Sequence, residues 1–347
     1  MAFSFCISSV YNYFEMKKRF TNLSIYRLIA TICVLQFHIF FILYNRAIPY
    51  ETLLSKGVQG LTCLSGFLYS QKVITDNKKF LLGNAKKIIF PALVVFGLMA
   101  LWNLIYMFIF QSWNYIGLFF DHRVYNNGLL VQPGNYYYIL YIMLCYLVTP
   151  ILQRNDKWSV LVALGAVLIE FTVGFFFGSS IIACSYIVGY FLGKKLFGQL
   201  TNIEEKFSIK WFIIFLLGTL AAAGIYVVLV IYPISGNYFL VHLDSLCKNI
   251  LMTTFGMGTF LVIAHAFRWV NRFPACPFLS FTDKISLNVY LFNQAFMCGA
   301  MNMAKYFDQM WIKYVFVYVF TIAFSIAAYY LYQFILKMTT KKAPVSA

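Results

Sequence analysis

A chain of 347 residues that is 62% hydrophobic and 20% aromatic, with only 11% charged side chains, is too apolar for a water-soluble globule, in which about a quarter of residues are charged. Its formal net charge of +16 is spread over many short segments, which excludes a nucleic-acid footprint as the main cause and predicts no nucleic-acid partner. What remains is an integral membrane protein whose basic residues set topology and meet anionic lipid of the bilayer.

Apolar windows of about 18 to 24 residues, each able to cross a hydrocarbon core of about 30 Å, recur from end to end. They predict spans at 23–44, 57–74, 88–110, 136–152, 159–177, 179–196, 211–232, 247–267, 285–304 and 312–336. The expected fold class is all-α: a polytopic membrane protein of about ten transmembrane helices with both termini cytoplasmic. Residues 1–22 then form a cytoplasmic segment, 23–336 the membrane domain and 337–347 a cytoplasmic tail.

With the termini inside, Lys17, Lys18, Arg19, Lys78, Lys79, Lys86, Lys87, Lys194 and Lys195 all fall on the inner side. The outer side receives only Arg46, Lys56, Arg123, Lys248, Lys305 and Lys313, as the positive-inside rule requires. The basic cluster at 17–19 leads into a stretch long enough to span and lacks a small-residue cleavage site, which predicts a retained first helix. The eight cysteines are scattered without a CxxC pair, so neither a disulfide framework nor a zinc site is indicated.

The first predicted helix carries Arg27 and His38. Eleven helical residues rise roughly 16 Å and turn about 1100°, within about 20° of three full turns, so both side chains share one face at different depths. Each costs several kcal/mol in hydrocarbon, which turns that face toward the bundle interior or a wet cavity. Taken singly, Arg27 can snorkel to headgroups and His38 can bond a neighbouring helix. Together they suit group transfer, a neutral imidazole as general base and a guanidinium holding an anionic donor.

The second helix contains Gly57, Gly60, Ser65 and Gly66, small residues that let another backbone approach; Ser65 has no local group to activate it as a nucleophile. Before the third helix lies a predicted cytosolic loop, 71–87, whose Lys78, Lys79, Lys86 and Lys87 serve topology or capture the phosphates of a nucleotide-like donor. A turn-rich external loop follows at 111–135. The fourth helix opens on Asn135 and an aromatic run ending at Tyr138, an interfacial girdle. Ser286, Tyr290, Asn293 and Gln294 stand at i, i+4, i+7 and i+8 and form one polar stripe, for interhelical hydrogen bonds or for the wall of a shared cavity. Glu170 reads as a protonated carboxyl or a helix partner, His265 as interfacial, and His122 and His242 as external loop residues.

The order of these pieces resembles the bacterial acyltransferase 3 family of integral membrane acyltransferases. Arg27-x10-His38 is similar to its first-helix signature and Gly57-Val58 with Leu64-Ser65-Gly66-Phe67-Leu68 to its second helix. The stretch from Phe80 through Lys87 to Pro91 resembles the basic segment and proline that open its third. Tyr137-Tyr138 through Thr149-Pro150, Gly189-Tyr190-Phe191-Leu192-Gly193 and Ile285 through Asn293 follow in family order. Three features depart from the pattern. Asn84 and Lys87 stand where the family has Arg-x-x-Arg, and Asn293 and Asn135 stand where histidines are common.

The resemblance implies transfer of an acyl group, usually acetyl, from cytosolic acetyl-CoA or another acyl-CoA to a hydroxyl of a cell-surface glycan or lipid-linked sugar. It implies no metal, and a place in the bacterial cytoplasmic (inner) membrane. On that reading His38 is the base or acyl relay, and Arg27, Lys86, Lys87 and Ser65 hold the donor. Ser286, Tyr290, Asn293, Gln294, Asn135 and Tyr138 line the substrate path. A multi-helix transporter or flippase of a glycan or lipid, binding cargo through the same charges without making bonds, is the alternative.

Overall fold

The computed structural model describes residues 20–43, 49–110, 136–154, 156–177, 181–206, 208–274, 276–297 and 304–340. Among these residues every regular element is helical: α1 (Thr21–Leu43), a short α2 (Pro49–Leu54), α3 (Gly57–Tyr69), α4 (Asn77–Phe110), α5 (Tyr136–Arg154), α6 (Lys157–Phe177), α7 (Ala183–Thr201), α8 (Ile209–Ile231), α9 (Tyr238–Ala266), α10 (Pro277–Phe292) and α11 (Met310–Thr340). Six of them, α1, α4, α6, α8, α9 and α11, are long and apolar enough to cross a membrane. The protein is an all-helical membrane protein.

Each predicted span overlaps a helix, but several boundaries differ because hydropathy sees only the apolar part of a helix. The predicted loop 71–87 is mostly the start of α4. Asp76 accepts from the Lys79 amide at 3.0 Å and caps it, so Lys78, Lys79, Lys86 and Lys87 are helical. Likewise α9 begins at Tyr238 rather than at 247, because Asn237 caps it by accepting from the Leu240 amide at 3.1 Å. Conversely α10 ends at Phe292, and residues 293–297 form turns. Asn293, still helical in backbone conformation, closes α10, and Gln294 lies in the turn beyond it rather than on an unbroken helix over 285–304.

Three apolar clusters hold the bundle. One joins α1, α4, α10 and α11 around Leu35, Ile39, Met99, Leu291, Phe292 and Phe296. A second joins α1, α3, α7 and α9 around Tyr26, Phe67 and Phe260. The third joins α5, α6 and α7 with the start of α4. Long side chains of α6 and α8, among them Leu168, Ile169, Leu217 and Leu220, point outward and more than half exposed, as lipid-facing helices require.

Polar bonds close the ends of the helices. Glu170 of α6 accepts the amides of Ile182, Ala183 and Cys184 and so caps α7 across the bundle; the helix partner of the two readings is its role. The Asn22 carboxamide donates to the carbonyls of Leu200 and Ala264 at 2.8 and 2.9 Å. Asn271 donates back to Asn22 Oδ1 at 2.9 Å. Arg268 fastens the adjoining loop by donating to the carbonyls of Asn202 and Glu205.

The small residues of α3 are packing positions. A Cβ at Gly66 would lie 2.0 Å from the Tyr186 carbonyl oxygen, and one at Gly189 would lie 2.1 Å from that of Cys63, so α3 and α7 meet backbone to backbone. Neither obstacle can rotate away. Gly189→Ala is expected to destabilise by about 1–3 kcal/mol, the usual cost of overpacking. Gly218→Ala, where nothing lies within 4 Å, should unfold like the wild type in detergent. Equal thermal midpoints for the two variants would contradict this packing.

Candidate functional site

Arg27 lies six residues into α1, roughly 9 Å along the helix. Its guanidinium pairs with Asp283 of α10, Nη1 to Oδ1, at 2.9 Å. Ser24, one turn earlier on α1, donates to the other carboxylate oxygen at 2.6 Å. The ion pair joins α1 to α10. Neutralisation by a partner is what makes a guanidinium tolerable at that depth.

Two cavities meet at this pair. The larger, about 800 Å³, is bounded by α1, α4, α10 and α11; its polar wall includes Ser24, Arg27, Lys87, Asp283, Lys284, Asn288 and Gln333, and Tyr329 and Tyr332 supply aromatic faces. The smaller, about 100 Å³, lies deeper and is lined by Arg27, Thr31, Ser65, Tyr138, Ser286 and Tyr290 among others. Arg27 and Leu287 border both. They form the partition between an outer room and an inner one.

The predicted residues divide accordingly. Arg27 and Lys87 line the outer room, whereas Lys86, one residue and about 100° away on the helix, is exposed and lines neither room. Ser65, Tyr138, Ser286 and Tyr290 line the inner room. Ser65 donates to its own helix, to the Leu61 carbonyl at 2.9 Å. The rings of Tyr138 and Tyr290 pack with centroids 5.1 Å apart. Asn293 is buried at the end of α10. Asn135 and His122 lie outside the described residues.

His38 stands two turns beyond Thr31, on the stripe formed by residues 27, 31 and 38, and lines neither room. The Gln294 carboxamide nitrogen is 3.0 Å from Nδ1 and 3.5 Å from Nε2. The amide therefore sets the tautomer of the imidazole. An amide N–H donates, so Nδ1 accepts from it and the neutral imidazole carries its proton on Nε2.

Several participants escaped the sequence reading. Asp283 lies just outside the predicted span, where an inner-side tally counts Lys284 and passes over the acid. Gln36 accepts from the hydroxyls of Tyr314 and Tyr318, the latter at 2.8 Å; an isolated glutamine in an apolar run was its only signal. At the mouth of α4, Lys72 lies 5.0 Å from the Phe80 ring centroid and 5.5 Å from that of Tyr69. Burial first, and the neighbouring Lys87 second, hold its ammonium below the ordinary lysine pKa. Asn84, the departure from the family pattern, is buried and accepts from the Tyr69 hydroxyl at 2.6 Å. A side chain so engaged replaces the expected cation with a link between α3 and α4.

A family model described as an acyltransferase domain, Acyl_transf_3, matches residues 20–330. No curated protein matches the chain, and no solved structure does. The matched stretch runs from the residue before α1 into α11 and contains the inner room and all of the outer room's lining except Tyr332 and Gln333.

The placement of the two lysines has a measurable consequence. In titrations of the purified protein with ADP, Lys87→Ala should weaken binding about fivefold, near 1 kcal/mol for one solvent-screened charge-assisted contact. Lys86→Ala should leave the affinity as it is. An equal loss in both would mean that the anion does not sit in the outer room.

Proposed function

We propose, from the premise that the chain belongs to the acyltransferase 3 family and is a membrane acyltransferase, that it moves an acyl group, acetyl in the first instance, from cytosolic acyl-CoA to a hydroxyl of a cell-surface glycan or lipid-linked sugar. The setting is the bacterial inner membrane, with ten spans, both termini inside and the Lys87 end of the bundle facing the cytosol. The observation that carries the reading is the sharing of Arg27 by both rooms.

The outer room suits the anionic part of the donor. Lys87, Lys284 and Arg27 present three cations against one carboxylate, and Tyr329 and Tyr332 offer faces to an aromatic base. The inner room, with Thr31, Ser65, Tyr138 and Tyr290, suits the thin arm that carries the thioester. It runs along α1 in the direction of His38.

The reaction then follows from ordinary acyl transfer. The imidazole of His38 takes the proton of the acceptor hydroxyl as that oxygen attacks the thioester carbonyl, the C–S bond breaks, and the CoA thiolate leaves and receives the proton. Gln294 holds the ring by donating to it, as an orienting group does for a catalytic imidazole.

His38→Ala should abolish transfer while the protein still inserts, measured as acceptor-dependent release of free CoA. Gln294→Leu should lower kcat roughly 10- to 100-fold, the scale of a lost positioning bond. Undiminished CoA release by His38→Ala would overturn the assignment. Acceptor movement without any CoA release would favour the transporter.

A further inference from the structure

Among the described residues that line the outer room Asp283 is the one carboxylate, and it shares the wall with the cations Arg27, Lys87 and Lys284. It holds Arg27 at 2.9 Å and is itself held by Ser24 at 2.6 Å. It sits on α10 one turn before Leu287, which with Arg27 borders both rooms. We propose that Asp283 is a positioning residue that latches Arg27 into the partition between the two rooms, and that the anionic end of the donor opens the passage by competing with this carboxylate for the guanidinium. The proposal rests on the donor reading above.

Carboxylate and phosphate oxygens seek the same donors of a planar guanidinium, and a fork of five N–H groups can pass from one to the other. In the structure Arg27 is engaged by Asp283 and forms part of the wall. A phosphate arriving beside Lys87 and Lys284 draws the guanidinium toward the outer room, relaxing the border it shares with Leu287. Ser24 keeps the carboxylate in place so that Arg27 returns when the product leaves. Lys284, adjacent in sequence, lines the same cavity and supplies the charge that holds the phosphate meanwhile.

A latch moves binding and turnover in opposite directions. Asp283→Asn removes the competitor and adds one net positive charge to the room, so CoA should bind roughly three- to tenfold more tightly. Turnover should fall about tenfold or more, because Arg27 is no longer returned to the partition. Asp283→Glu keeps the charge and should stay within about threefold of wild type in both measures. Ser24→Ala, which removes only the second bond, should shift both in the same directions as Asp283→Asn by a smaller factor.

The test is titration calorimetry with CoA on the purified full-length protein, run beside steady-state kinetics with the acyl donor. Tighter CoA binding together with slower turnover in Asp283→Asn, and recovery in Asp283→Glu, is the expected result. An unchanged CoA affinity, or affinity and turnover falling together, would overturn the latch. Where Asp283→Asn fails to fold, Ser24→Ala decides, and an unchanged affinity there counts against it. Shifted CoA affinity with no acyl transfer by any variant would sink the proposed function and leave the latch; transfer without the shift would do the reverse.

Discussion

The ion pair between Arg27 and Asp283 is the constraint on which the arrangement of the site depends. A guanidinium two turns inside a hydrophobic helix needs a counter-charge, and a counter-charge must come from another helix. Once α10 supplies it, the register of α1 against α10 is set. Thr31, His38 and the inner-facing residues of α10, Ser286 and Tyr290, then fall where they do along the interface. Both partners are only partly buried and line the outer room, so the pair specifies geometry more than it adds stability.

That register needs a frame that does not slide. The glycines of α3 and α7 provide it, since backbone contact through Gly66 and Gly189 admits one mutual placement of the two helices. Polar bonds reinforce it at the helix ends, where Glu170 closes the amides of α7 and Asn22 closes the carbonyls of α7 and α9. Lipid supplies no hydrophobic drive for one helix to seek another, so close packing and satisfied polar groups are what hold this bundle. Apolar surface on α6 and α8 is correspondingly left to the bilayer.

Much of this was legible in the residues. Helix positions follow from apolar length, and the shared face of Arg27, Thr31 and His38 follows from helical period alone. The glycines of α3 announced close approach. What the sequence hid are the partners, because a partner is a tertiary fact. Asp283 lies 256 positions from Arg27 and just outside an apolar window, so nothing local links them. Lys86 and Lys87 are alike in type and neighbours in sequence; only the helical phase of α4, begun at the Asp76 cap, separates the one at the cavity from the one outside it. Hydropathy also ran α10 past its end, and the turn after Phe292 is what brings Gln294 to the imidazole.

The spacing on α1 places a demand on any donor that serves the proposed chemistry. Its anionic portion belongs with Arg27, Lys87 and Lys284, whereas the base stands about 16 Å farther along the same rigid helix. A compact acyl phosphate satisfies one end or the other. A thioester at the tip of a long, narrow and uncharged arm satisfies both, with its phosphates in the outer room and its arm reaching past the inner one toward His38. The small volume of the inner room, about 100 Å³ against about 800 Å³ outside, works in the same sense. It admits a chain and excludes a nucleotide, so the part of the donor that binds most strongly stays on the outer side of the partition.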